Sequence, residues 1–207
     1  MEPDAVEIRV VACLVEKQRT TPDQYPLTLN SLRLACNQST NRDPVTDYDE
    51  PTIRSALDRL GQRKWTTLAS WSTARSVKYK HLFDKALGLT DPQLALITVL
   101  MLRGPQTPGE LRQRTERIHR FESSEELDHA LEELVRRELA VALPRRPGER
   151  GQRFAHRLGD VQLEPPGVPE PIEPPAGDGL ATRVDRLEGE VAALREQLRA
   201  LRDELGA

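Results

Sequence analysis

Apolar residues crowd the start of the chain and then settle into a stripe. Ala5, Val6, Ile8, Val10, Val11, Ala12, Cys13, Leu14 and Val15 are nearly continuous, which a helix buried on most of its faces explains. Leu29, Leu32 and Cys36 follow at helical spacing behind Thr28 as N-cap, and Asn37 can close that helix because Asn tolerates the left-handed conformation. A third helix starts near Asp49, with Glu50 and Pro51 in a first turn where proline forfeits no hydrogen bond. Ile53, Ala56, Leu57 and Leu60 form one stripe along it. The pattern then shortens. Residues 65–71 and 76–83 are rich in Trp, Thr, Val, Tyr and Phe, and Ser72 to Arg75 separate them, which predicts a hairpin. Three helices and a hairpin is the winged-helix order.

The same order returns. Thr90 with Gln93, Thr107 with Glu110 and Ser123 with Glu126 read as capping boxes before three further apolar stripes. Leu139 to Leu143 and Phe154 to Leu158 flank a turn around Pro147-Gly148. The third helices align directly: Ala56-Leu57, Leu60 and Arg63 match Ala130-Leu131, Leu134 and Arg137. This is the mark of an internal duplication. The expected fold is mainly α with small β wings. Two tandem winged-helix domains, 1–86 and 87–159, precede a Pro-rich linker and a coiled-coil helix.

The linker spans 160–179. Its six prolines make it a moderately stiff spacer, at most about 60 Å long if extended. From 180 to 207 the apolar positions separate by four and three in alternation. Leu180, Leu187, Leu194 and Leu201 take the d positions, and Val184, Val191, Leu198 and Leu205 the a positions. Valine at a with leucine at d favours a parallel two-stranded coil. The flanking pairs Arg183 with Glu188 and Glu190 with Arg195 are attractive. A homodimer is expected; a helix folded back on its own domains is the alternative.

One stretch, Glu16 to Val45, fits neither core nor single helix. It carries Glu16-Lys17, Thr20-Thr21-Pro22-Asp23, Tyr25-Pro26-Leu27, Leu29-Asn30, Ala35-Cys36-Asn37-Gln38 and Asn41-Arg42-Asp43-Pro44-Val45. In this order the blocks resemble the YceH family of bacterial proteins, and the broader likeness covers nearly the whole chain. The resemblance implies two winged-helix domains in tandem and supplies no reaction, ligand or partner. Read from the residues alone, Glu16, Lys17, Tyr25, Asn30, Asn37, Gln38, Asn41 and Arg42 have two uses. They can tie two long loops to the first domain, since loop backbone must find hydrogen-bond partners. They can also line a pocket for a small polar ligand.

Composition narrows the function. The net charge is −3, so only local basic patches could bind nucleic acid. Cys13 and Cys36 are the only cysteines and read as small buried hydrophobes, with no disulfide or metal site indicated. Met1 leads directly into acidic residues and no apolar run approaches a membrane span, so a cytoplasmic location away from membranes is expected. No phosphate loop, metal pair or nucleophile–base pair is visible. The chain is therefore expected to be no enzyme and to need no cofactor. For a winged helix, the third helix and the wing are the DNA-facing elements. Arg54, Arg59 and Arg63, with Lys78 and Lys80, form the first basic set, and Arg145, Arg146, Arg150 and Arg153 the second. The third helix of the second half is acidic and would be repelled from phosphate. Two partners stay open: double-stranded DNA, as for a transcriptional regulator, or a protein, as for a scaffold of tandem winged-helix type.

Overall fold

Asp4 opens the first helix with a reciprocal cap. Its Oδ1 accepts from the Glu7 amide at 2.8 Å, and Glu7 Oε2 accepts from the Asp4 amide at 3.0 Å, so two amides that the helix leaves unbonded are satisfied. The structure is a computed structural model and describes residues 2–69, 76–145 and 151–159. In helix α1 (Ala5–Thr20), every residue from Glu7 to Val15 is buried. A helix covered on all sides needs several neighbours. It packs on α2 (Leu29–Cys36), on α3 (Glu50–Gln62) and on α5 (Asp91–Arg103).

The first half follows the expected order with three additions, the first a single 3-10 turn at Pro22–Gln24. Thr28 Oγ1 caps α2 by accepting from Ser31, and Asp49 Oδ1 caps α3 by accepting from Thr52 at 2.9 Å. Strands β2 (Thr66–Ala69) and β3 (Lys78–His81) pair antiparallel, with Thr66 opposite His81. A third, two-residue strand, β1 (Leu27–Thr28), joins the free edge of β3, giving the order β1-β3-β2. The strand run expected to reach residue 83 stops at His81. Phe83 instead starts a short helix, α4 (Phe83–Leu87), which ends at Gly88 in the left-handed conformation, φ 58°. Asn37 closes α2 with φ −94°, not left-handed, because its side chain is engaged elsewhere.

The second half comprises α5, α6 (Pro108–Thr115), α7 (Ser124–Arg136) and the antiparallel pair β4 (Ala140–Ala142) and β5 (Phe154–His156). Thr90 with Gln93 and Thr107 with Glu110 form the expected boxes. The third does not close: Ser123 accepts from Glu126, but the Glu126 carboxylate takes the Glu122 amide at 2.8 Å in place of the Ser123 amide.

The third helices of the two halves end alike. Ala56, Leu57 and Leu60 are buried, as are Ala130, Leu131 and Leu134. Arg63 and Arg137 terminate the helices, followed by Lys64 at φ 60° and Glu138 at φ 57°. Each turn is locked by a return bond, Trp65 N to Leu60 O and Leu139 N to Leu134 O, both 2.9 Å. Lys64 and Glu138 thus hold a backbone region that costs a side chain energy, and the closing bond offsets that cost.

The fold is mainly helical with two small antiparallel sheets. Its buried side chains form one cluster that runs across both halves, because α1 and the ten-residue buried run of α5, Gln93 to Leu102, pack on each other. Residues 70–75, where a turn is expected at Ser72 to Arg75, residues 146–150, the expected linker at 160–179 and the heptad segment at 180–207 lie outside the described residues. So do all eight residues assigned to dimerisation and the expected Pro147-Gly148 turn. Among the described residues no helix is long and apolar enough to cross a membrane.

Candidate functional site

The stretch from 16 to 45 is assembled around Arg42, whose side chain is fully buried. Its five N–H donors meet five acceptors. Nε reaches Ala35 O at 3.0 Å. Nη1 reaches Glu16 Oε1 at 3.1 Å and Asn41 O at 2.8 Å. Nη2 reaches Glu16 Oε2 at 2.5 Å and Gln38 Oε1 at 3.0 Å. The two Glu16 contacts make a bidentate fork, the strongest form of side-chain pairing. Asn41 takes φ 61°, which turns its carbonyl back onto the guanidinium. Lys17 Nζ lies 3.5 Å from Gln38 Oε1 and 3.8 Å from Glu16.

Asn37 holds the next segment of the loop. Its Nδ2 donates to Tyr48 O at 2.8 Å and its Oδ1 accepts from Tyr48 N at 2.9 Å, so one side chain pairs with both backbone groups of a residue eleven positions on. Arg9, itself buried, donates from Nη2 to Pro44 O at 2.8 Å. Two of the eight block residues stand apart. Tyr25 Oη accepts from the His81 amide at 2.7 Å, and burial pushes its pKa up to about 12 against the opposing effect of that bond. Asn30 is exposed on α2 and accepts from Arg33. The structure thus brings together Glu16, Lys17, Gln38, Asn41 and Arg42, with Asn37 beside them. Beneath this network the Cys13 and Cys36 thiols meet across α1 and α2, both buried. Their hydrogen bond and burial hold the Cys36 thiol well above the ordinary range.

Outside the Glu16–Arg42 pair, the surface opens into a cleft of about 510 Å³. The end of α1 and the loop after α2 form one wall, α5 and α6 the other. Lys17, Arg103, Arg114 and Arg117 reach it, and Glu16 is the one carboxylate among its lining residues. Arg103, Arg114 and Arg117 fall outside the sequence-derived set. They belong to two separate segments of the second half and read singly as solvated charges.

The basic positions proposed for nucleic acid divide by partner. Arg59 pairs with Asp4 at 2.6 Å and Glu7 at 3.3 Å, and Arg63 pairs with Glu7 at 3.1 Å. Arg63 also lies over the Trp65 ring, 5.9 Å from its centre. Glu7 is only 2% exposed, so these arginines neutralise a buried carboxylate of α1. Arg54 and Lys80 are exposed and Lys78 is half-buried. In register, Lys78 stands opposite Ala69 and Thr28, and Lys80 opposite Thr67. Arg145 is exposed, and Arg153 lies just before β5 with its carbonyl bonded to Leu143 N. Arg146 and Arg150 lie outside the described residues. On α7, Glu125, Asp128 and Glu132 are all exposed.

Comparison with known proteins adds kinship. The family model described as "Protein of unknown function, DUF480" matches residues 4–149. The chain is 43% identical to a UPF0502 protein of Enterobacter sp. (strain 638), over 98% of this chain and 97% of that one. It is 44% identical to a UPF0502 protein of Delftia acidovorans (strain DSM 14801 / SPH-1), over 98% and 92%. With a UPF0502 protein of Azotobacter vinelandii (strain DJ / ATCC BAA-1303) the identity is 47%, over 77% and 70%.

Proposed function

The chain belongs to the UPF0502 family, matched by the DUF480 model and indicated by its YceH-like blocks, and from that premise we propose that it is a tandem winged-helix protein that binds double-stranded DNA. One observation carries the reading. Arg54 on α3, and Lys78 and Lys80 on β3, the strand paired to the β2 that packs on α3, have no ion-pair partner among the described residues, on the two elements that winged-helix proteins turn toward DNA. Arg59 and Arg63 support α3 from behind by holding Glu7. Arg145, exposed beyond β4, adds to the basic surface proposed for phosphate. Pairing of two chains through the heptad repeat read in the sequence of 180–207 is part of the proposal and would double that surface.

The test is duplex binding by the full chain at several salt concentrations. Neutralising Z phosphates gives a salt slope of about −0.9Z. Lys78→Ala with Lys80→Ala should weaken binding across sequences and reduce the slope by about one per lysine. Absence of duplex binding at ~50 mM salt, where counterion release is most favourable, would refute the proposal.

A second reading has its own support. The exposed Glu125, Asp128 and Glu132 of α7 repel phosphate and suit a basic protein surface, as in a scaffold. Charge reversal on α7 that abolished a protein association while sparing duplex binding would give that role to the second half.

A further inference from the structure

The cleft between α1 and α5–α6 has an electrostatic imbalance that the fold itself leaves in place. Its single lining carboxylate, Glu16, is already held by Arg42 through both oxygens. Four cations surround it. Arg114 is partly compensated and fixed in place, with Nη1 donating to Gln106 Oε1 at 2.7 Å and Nη2 lying 3.5 Å from Glu110. Lys17 is steered by Gln38. Arg103 and Arg117 have no hydrogen-bond or ion-pair partner among the described residues, although Arg103 is half-buried. Burial and the nearby charges of Arg114 and Arg42 lower the pKa of Arg103, against a weaker opposing effect of Glu16. Cations that outnumber the carboxylates near them raise the free energy of the unliganded state, and an anion placed among them lowers that cost.

The shape limits what the anion is. A cleft of about 510 Å³ lies within the range of small-molecule sites, roughly 300–1,000 Å³. Its charged groups converge from different elements: Lys17 from α1, Arg103 from α5, and Arg114 and Arg117 from α6 and the turn beyond it. Val99, Leu102 and Ile118 supply an apolar side to the same space. Several cations from separate directions suit a group with three acceptor oxygens and nearly two charges more than a flat monocarboxylate. The apolar side suits the organic body that carries it. We infer that this cleft is a binding site for a phosphoester small molecule of up to about nucleotide size. The site uses none of Arg54, Lys78 or Lys80, so the inference stands apart from the DNA reading.

The test uses the full chain with inorganic phosphate, pyrophosphate, adenosine 5′-monophosphate, citrate and adenosine, followed by calorimetry and thermal melting. The phosphate-bearing compounds should bind and raise the melting temperature, and adenosine should not. Arg103→Gln and Arg117→Gln should each weaken adenosine monophosphate binding by about tenfold or more, the scale of one lost charged hydrogen bond. Ligand-free Arg103→Gln should melt no lower than the parent in low salt, since it sheds a charge beside Arg114 and Arg42; a merely structural arginine would lower it. Arg117 is exposed, so its variant reports even if the other fails to fold. The assignment is overturned if phosphate, pyrophosphate and the monophosphate all fail to bind, or if adenosine binds as well as its monophosphate. Tighter binding of citrate, or full affinity in a variant that combines Arg103→Gln with Arg117→Gln, would overturn it too. Displacement of the bound monophosphate by a short DNA duplex would place the cleft in a nucleic-acid surface and likewise overturn it.

Discussion

Replacing Arg42 by alanine gives the sharpest reading of what the polar stretch does. The substitution removes five hydrogen bonds at once. The Glu16 carboxylate, Gln38 Oε1 and the Ala35 carbonyl keep only long contacts, 3.8 and 3.5 Å to Lys17 and 3.5 Å to Cys13. The Glu16 side chain is only 13% exposed, so water cannot fully replace its partner. Removing one member of a buried pair costs about 3–5 kcal/mol, because the other charge is left behind. In a protein of this size each kcal/mol shifts the melting temperature by roughly 2–4 °C. Arg42→Ala should therefore melt about 6–20 °C below the parent, which urea or calorimetric melts at pH 7 would read. Arg42→Lys should recover little, since an ammonium lacks the planar fork that Glu16 and the Ala35 carbonyl share. Adding Glu16→Gln to Arg42→Ala should cost less than the sum of the single changes. A loss under about 1 kcal/mol in Arg42→Ala would refute the argument, for that is the worth of an exposed pair.

Acid should destabilise the fold through two histidines. Burial lowers both His81 and His156 to about 4. The unfolded chain takes up protons near the ordinary value of about 6.5, so stability is full above that value and falls as pH drops toward 4. Each histidine contributes up to about 1.4 kcal/mol per pH unit. Urea melts between pH 5 and 7 should show the slope, and His156→Gln should flatten it; a flat parent profile would contradict the burial argument. Arg63→Ala should lower stability by roughly 1–3 kcal/mol, the cost of thinning the charge around buried Glu7. It should leave duplex affinity and its salt slope unchanged, because Arg63 faces α1; a lost salt slope would return it to the DNA surface.

Most helices were legible because two local signals agree at each. Thr28, Asp49, Thr90, Thr107 and Ser123 all stand as N-caps before stripes that prove buried. β1 and α4 escaped notice for want of length: two residues have no period, and Phe83 beside the strand run looks like more strand. The cap that sequence reading passed over, Asp4 with Glu7, sits ahead of a run too uniformly apolar to show a periodic start. The site was legible only as a set of residue types. Nothing local couples Arg42 to Glu16 across 26 positions, or Arg59 to Asp4 across 55. Charges whose partners are distant read as free surface charge, so Arg59 and Arg63 looked available for DNA. Arg103 and Arg117 gave no sign of sharing a cleft.

The packing of α1 on α5 also bears on how the protein is made. The ribosome releases α1 first, while α5 does not begin until Asp91. Until then the flank of α1 that α5 will cover stays open to solvent, although the first half already has its three helices and sheet. N-terminal segments fold early, and exposed apolar surface at that stage invites aggregation. The nascent first half is thus an unfinished fold awaiting one helix. Synthesis that stalls between residues 87 and 103 would leave it most exposed to misassembly and most dependent on chaperones.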